Sequence, residues 1–456
     1  MSEKDSFRSI WTLAWPQLLM MFFHFIIGFV DVWVAGRIST EFQASMGMIT
    51  QALFFFLVVA IALANGSVAA ISQSYGAGLM RRVQRYIGLG LEIGLVLGFI
   101  FLVVGLALKD VLLGLLQIPE DVLPLAAYLL QVFLYILPGY YLLIICNAFF
   151  RAQRKVMIPL YSMMIATIVN TIGDFGLGLG WWGFPELGYK GVAWTTFVAI
   201  FSGVFFNLCV LYRQGFLKRK SFAPWRWIKR AWPYLFKVAW PAGLMQVVWH
   251  SAYLVLFAIT AALPVGSVVA LAGMSAGLRV ESLLFLPGVA FNFTASILVG
   301  NRLGRGDVQG AKRTGYKVML LALVFVSLLT VALWQVIEPV AGFIAPDPEV
   351  TQETINYLRY NMAAIPFLVI AMVLGGAFTG AGATLLQMLG MGASAWLIRL
   401  PLAYFLGHWV IQEATGVWMA MFFSMVIQAG IMLYLYQYRD WPGYAMRKSG
   451  DASVPA

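Results

Sequence analysis

Inside the long apolar stretches of this 456-residue chain stand four acids, Asp31, Glu92, Asp174 and Glu281, and two bases, Arg279 and Arg399. An ionisable group in a hydrocarbon layer costs about 2.5–3.5 kcal/mol on insertion scales, so each implies a partner, a water-filled cavity or a function. Asp31 and Asp174 each lie about 17 residues into their apolar run. A helical rise of about 1.5 Å per residue puts both at a similar depth, roughly 26 Å from the start of the run. Asn170 precedes Asp174 by one helical turn, and His24 precedes Asp31 by two, so each faces the same way as its acid. Two carboxylates, an amide and an imidazole could therefore line one pocket. A carboxyl stripped of water, above all beside a second one, holds a proton more readily, which suits proton coupling. The same oxygens suit Na⁺ at Asp31, Asn170 and Asp174, with the hydroxyl of Thr196 as a further ligand. A buried structural network is the bland alternative. Glu281 and Arg399 are expected to pair, either to satisfy charge or to act in gating or substrate binding. Glu92 stands near the end of its run, within reach of Arg81 or Arg85.

These residues need helices that cross a membrane. The chain is 61% hydrophobic and 11% charged, against about 25% charged in soluble domains. Twelve apolar runs are expected to span: 14–36, 44–72, 87–108, 123–148, 157–179, 192–212, 238–262, 267–299, 316–337, 356–378, 386–409 and 416–437. Each is long enough for a layer about 30 Å thick. A β-barrel would instead show short alternating segments of about ten residues. The first run is too long for a signal peptide and lacks a cleavage site, so it is expected to be retained. Cys146 and Cys209 both fall in spans, which argues against a disulfide framework or a zinc site.

The net charge of +11 is a matter of topology rather than of nucleic-acid binding. Of 30 Lys and Arg residues, 24 fall in loops on one side, including Lys4, Arg8, Arg81, Arg82, Arg85, Arg151, Arg154, Lys155, the stretch 213–237 and Arg439, Arg447 and Lys448. Four, Arg37, Lys109, Lys190 and Arg359, fall on the other side, with Glu41, Asp110, Glu120, Asp121, Glu186, Glu338, Asp347, Glu349, Glu353 and Glu413. The positive-inside rule then makes both termini cytoplasmic.

The chain also repeats itself. Ala14-Trp15-Pro16 recurs as Ala239-Trp240-Pro241, Gly76-Ala77-Gly78 as Gly304-Arg305-Gly306, and Pro138 as Pro366, at offsets of 225, 228 and 228. Each copy holds an even number of spans with its basic loops on the same side, so the repeat is parallel. The expected organisation is a cytoplasmic N-terminus 1–13, a first lobe 14–213, a basic linker 214–237, a second lobe 238–438 and a cytoplasmic tail 439–456. Trp225, Trp227 and Trp232 mark the linker either as an interfacial amphipathic segment or as a solvated one. No acid stands in the second copy where Asp31 and Asp174 stand in the first; Trp249 and His250 occupy that neighbourhood, on an aromatic and methionine-rich surface suited to amphipathic substrates.

Taken in order, the segments PQLLMMFFHFIIGFVDVWVAG from Pro16, SQSYGAG at 72–78, VNTIGDFGLGLG around Asn170 and Asp174, PELGYKGVAWTT at 185–196, LPGVAFNFTASILVGNRLGRGD at 286–307 and GGAFTGAGAT at 375–384 resemble the multidrug and toxic compound extrusion (MATE) family. The resemblance implies an all-α integral membrane protein of twelve transmembrane helices, in two parallel-repeat six-helix lobes around a central cleft. It further implies alternating access and export of cationic or amphipathic small molecules in exchange for H⁺ or Na⁺. The Asp, Asn, Asp pattern looks most like the DinF-like subgroup. Carried over, it makes Asp31, Asn170, Asp174, Thr196 and Tyr140 the ion-coupling residues and links release to a bend near Pro16; the positions of His24, Glu281 and Arg399 in the spans make them candidates for supporting or gating roles, and Trp249 and His250 candidates for the substrate cleft. Other subgroups carry a glutamate on the seventh helix, where this chain reads Val248-Trp249-His250. No cofactor and no firm metal site are expected beyond the coupling ion. The expected setting is a monomer in the inner membrane, with lipid as its neighbour. A lipid-linked saccharide flippase or specific-metabolite exporter is the alternative. A membrane-embedded enzyme would need a dense acidic or histidine cluster, which three scattered histidines do not make.

Overall fold

The computed structural model describes residues 6–115, 118–119, 122–218, 221–345 and 347–446. Lys4, Glu120, Asp121, Arg219, Lys220, Arg447 and Lys448 lie outside the described residues. Among those described, twelve helices are long and apolar enough to cross a membrane. They are α1 (Phe7–Ile38), α2 (Thr40–Gly76), α3 (Met80–Ala107), α4 (Leu123–Ala152), α5 (Met157–Gly178), α6 (Tyr189–Arg213), α7 (Trp225–Ala261), α8 (Ser267–Gly304), α9 (Val308–Trp334), α10 (Pro348–Ala381), α11 (Thr384–Val410) and α12 (Ala414–Tyr438). Each expected span maps onto one of them. The helices run past the apolar middles because polar ends extend a helix beyond the hydrocarbon without cost. The stretch expected as a linker is the largest difference: its second half, from Trp225, is already the start of α7. Trp227 is buried there, edge-on to Tyr86 at 4.9 Å.

The described residues divide into two compact units, one formed by the chain up to Leu18 with Trp240–Met446 and one by Leu19–Ala239. The division falls inside α1, two residues past Pro16, whose ring removes a helical N–H donor. Within the second of these units α4 packs on α2, α3 and α6, and α6 on α5; within the first, α10 packs on α8, α9 and α12, and α12 on α11.

Duplication is visible in local geometry. A helix can end with one residue in the left-handed region, whose neighbours return their N–H groups to the last turn. Gly78 (φ 76°) ends α2 in this way, with Gly78 N donating to Tyr75 O and Leu79 N to Ser74 O, both at 3.0 Å. Gly306 (φ 79°) ends α8 identically, onto Leu303 O at 2.9 Å and Arg302 O at 3.0 Å. The same motif closes α4 at Arg154 (φ 64°) and α10 at Gly382 (φ 81°). Both pairs are 228 residues apart. A Cβ on Gly191 would lie 2.4 Å from Leu177 O, and one on Gly416 would lie 2.5 Å from Leu406 O, so the starts of α6 and α12 sit equally close to the ends of α5 and α11.

Candidate functional site

In the unit that contains α2–α6, the site is built where α5 meets α1. The Thr167 hydroxyl donates to Phe23 O at 3.1 Å, tying the two helices together below the acids. One turn on, Asn170 Nδ2 donates to Asp31 Oδ1 at 3.0 Å. Asn170 and Asp174 are fully buried, at 0% exposure, while Asp31 is half-buried. From Asp174 to Gly178 the helix widens into a π turn. Such single turns recur where a helix must re-aim a functional side chain. Asp174 is held next to Asp31, close enough for the two carboxyls to feel each other's charge. Neither Asp174 oxygen has a hydrogen-bond partner, nor has Asn170 Oδ1.

That arrangement follows from donor chemistry. Two ionised carboxylates are acceptors only, so nothing joins them until something positive arrives. A proton lets one carboxyl donate to the other; a small hard cation would take the Asp oxygens together with Asn170 Oδ1. The oxygen set fits either. Among the described residues, no three His, Cys, Asp or Glu side chains converge on a metal position.

The other sequence candidates divide. Tyr140, on α4, lies close enough for its hydroxyl to feel Asp31. Thr196 is buried, but its hydroxyl donates to Val192 O of its own helix at 3.1 Å. His24 does not join the pocket: it is exposed, with no hydrogen bond to the acids. It shares the face of Asp31, yet two turns separate them by about 11 Å along the axis. An aromatic layer lies beyond the acids, with Trp33 5.5 Å from Phe175, which stacks on Trp181 at 4.8 Å.

In the other unit the expected contact between Glu281 and Arg399 does not form directly. Glu281 Oε2 accepts from the Tyr357 hydroxyl at 2.6 Å, and Arg399 Nε donates to Ser424 Oγ at 3.0 Å. The two charges still sense each other. Arg399 stands over the rings of Trp249 at 5.0 Å and Tyr253 at 5.7 Å, so Trp249 is a partner of the arginine. His250 is half-buried one residue away, and Pro16 sits within α1. Glu353, read above as a loop acid, is instead in α10; it accepts from Trp418 Nε1 at 2.5 Å, while Asn356 bridges to Thr415 at 2.9 Å. Its place one turn before Tyr357 is the signal that could have found it. Glu92 is half-buried and forms no ion pair with Arg81 or Arg85.

Known proteins place this scaffold. The MatE family model matches residues 16–175 and again 241–405, once in each copy of the repeat. The chain is 25% identical over 436 residues to a probable multidrug resistance protein NorM of Thermotoga maritima, covering 94% of this chain and 92% of that one. It is 26% identical over 424 residues to the multidrug resistance protein PmpM of Pseudomonas aeruginosa, covering 90% and 86%. Its fold matches a Vibrio cholerae MATE transporter with a TM-score of 0.85 at 19% identity, covering 94% and 96% of the two chains. It also matches the outward-facing conformation of a multidrug resistance MATE family transporter, with a TM-score of 0.87 at 18% identity over 95% and 96%. With twelve candidate spans and a family match over most of its length, this multi-pass membrane protein belongs to the MatE family, one of transporters and not of enzymes.

Proposed function

We propose that the chain is a secondary active multidrug efflux antiporter, exporting cationic or amphipathic small molecules in exchange for H⁺ or Na⁺ by alternating access. The observation that carries this reading is the acid pair: Asn170 fixes Asp31 at 3.0 Å, and Asp174 beside it is buried with both oxygens unpartnered. An ion entering there gains contacts that the empty site lacks. Coupling requires only that ion and cargo bind the two states of the carrier differently and in opposition. Tyr140 contributes a hydroxyl at the edge of the pair and Thr196 a remaining lone pair, while Pro16 marks the place in α1 where a bend would move Asp31. Relatives named as multidrug resistance proteins support the cargo class. The lack of an acid beside Trp249 and His250 favours the DinF-like subgroup.

The distribution of basic loops favours an inner-membrane placement with both termini cytoplasmic. The two lobes, 14–213 and 238–438, then act as the moving bodies. In a monomer reconstituted into liposomes, a fluorescent organic cation should move against its gradient when a pH or Na⁺ gradient is imposed. Asp31→Asn should abolish this in correctly folded protein. A variant that transports as well as the parent under both gradients sinks the coupling proposal, and retention of an undecaprenyl-linked sugar with no cation transported moves the reading to a flippase.

A further inference from the structure

One face of α6 is left open from Phe197 to Arg213. Phe197, Phe201, Phe205, Cys209 and Arg213 recur every fourth residue and, with Ile165 of α5, line a groove of about 670 Å³. From Phe197 to Arg213 the face runs about 24 Å, longer than the roughly 15 Å of one leaflet's hydrocarbon. The lining is apolar except at one end. There Arg213 is exposed, and α6 closes in a left-handed turn at Gly215 (φ 75°), with Gly215 N on Tyr212 O and Phe216 N on Leu211 O, both at 2.9 Å. The turn lays the end of Lys218 against Gly215, where an added Cβ would lie 3.2 Å from its Cε. Lys155 reaches in from the loop before α5, its Nζ 2.5 Å from Gln214 Oε1 and 5.5 Å over the ring of Phe216. Partial burial holds the Lys155 ammonium below the usual lysine range, as expected of a cation without a counter-charge. No carboxylate pairs with Arg213, Lys155 or Lys218 among the described residues.

We propose that this groove is a site for one anionic phospholipid, with an acyl chain along the α6 face and the headgroup phosphate between Arg213, Lys155 and Lys218. Charge selects this occupant: three cations at the mouth of an apolar channel leave positive potential uncompensated, and a basic pocket between helices meets anionic headgroups where it opens at the membrane surface. The open face of α6 supplies the rest, since Phe205 and Val198 are 70% and 52% exposed and need hydrocarbon against them. A zwitterionic lipid would fill the channel equally well, but its own ammonium offsets its phosphate, so it brings no net negative charge to the mouth.

Native mass spectrometry of the full chain, with phosphatidylglycerol and phosphatidylcholine offered at equal mole fraction, tests this without reference to transport, so its outcome is separate from that of the antiport reading. The parent should retain one phosphatidylglycerol in preference to phosphatidylcholine. Arg213→Gln and Lys155→Gln should each lower the preference about fivefold. Ser202→Trp, in the middle of the channel, should cut retention of both lipids. Thermal melting of each variant checks folding, and Lys218→Gln provides a second route if Lys155→Gln unfolds. Equal retention of the two lipids by the parent overturns the proposal. So does a preference that survives both glutamine substitutions, or a dimer that Ser202→Trp disperses, which would make the groove a contact between copies.

Discussion

Asp174→Asn separates a functional carboxyl from a structural one, because the two readings predict opposite signs. Asp174 is fully buried and both of its oxygens lack a partner, while Asp31 next to it accepts from Asn170 alone. A buried polar group left unsatisfied costs about 1–3 kcal/mol, and a hydrogen bond to a charged group contributes about 1.5–3 kcal/mol. The substitution exchanges one orphaned oxygen for an amide that can donate to Asp31, so a net stabilisation of about 1–3 kcal/mol is expected. In a thermal melt this is a rise of a few degrees. The same protein should lose transport driven by a pH or Na⁺ gradient, since an amide takes up no proton and, being neutral, does not supply the negative charge that would balance Na⁺. A gain in stability bought with a loss of function is the signature of a strained functional site. Asn170→Ala supplies the contrast: it removes the 3.0 Å bond to Asp31 and should lower the melting point. If Asp174→Asn melts below the parent, the carboxyl has a partner in the folded protein and the reasoning is wrong; if it melts higher but still transports, the site is structural.

The remaining predictions concern the scaffold. Leu79 and Asp307 are equivalent N-caps with nearly the same backbone, φ/ψ −86°/68° and −91°/78°, but only Asp307 accepts a bond, from Gly310 N at 2.8 Å. Leu79→Asp should therefore stabilise by about 0.5–2 kcal/mol, read as a raised melting temperature. Gly78→Ala meets no atom within 4 Å, so its whole cost is the left-handed backbone, about 1–2 kcal/mol; a larger drop would mean a contact unseen here. Tyr357→Phe leaves Glu281 without its 2.6 Å donor and should cost about 1–3 kcal/mol by the same assay. Gly277→Ala should disturb the same bond, because its Cβ would lie 2.2 Å from the Tyr357 ring.

The twelve spans were legible because lipid demands continuous apolar runs, and the duplication because left-handed helix ends favour glycine, as at Gly78, Gly306 and Gly382. Arg154 shows the limit of that signal: it performs in α4 what Gly382 performs in α10, and no glycine advertises it. Asp31, Asn170 and Asp174 could be grouped from helical spacing and depth alone. Spacing could not show that His24 stays apart, since a shared face says nothing of a two-turn gap. Nor could it find the Tyr357–Glu281 bond, which joins side chains 76 residues apart through the packing of α8 on α10. Glu353 was lost to a loop because hydropathy sees only the apolar middle of α10.

What the repeat preserves and what it changes have different physical meanings. Helix ends, the close approaches at Gly191 and Gly416 and the order of helix packing are common to both copies, because they concern backbone, which either copy must satisfy in the same way. Side-chain chemistry is free to diverge. In the copy with α8 and α10, buried Glu281 and half-buried Glu353 have permanent donors, Tyr357 and Trp418. An arriving ion there would have to displace bonds already made. In the copy with α5, Asp174 has none, so an ion meets no competitor. Binding free energy is a difference between occupied and empty site, and of these acids only Asp174 has no protein donor to be displaced. On the proposed antiport reading, sensitivity to an ion gradient belongs to the Asp31–Asp174 pair and the other acids serve as struts, whose removal should change stability before it changes coupling.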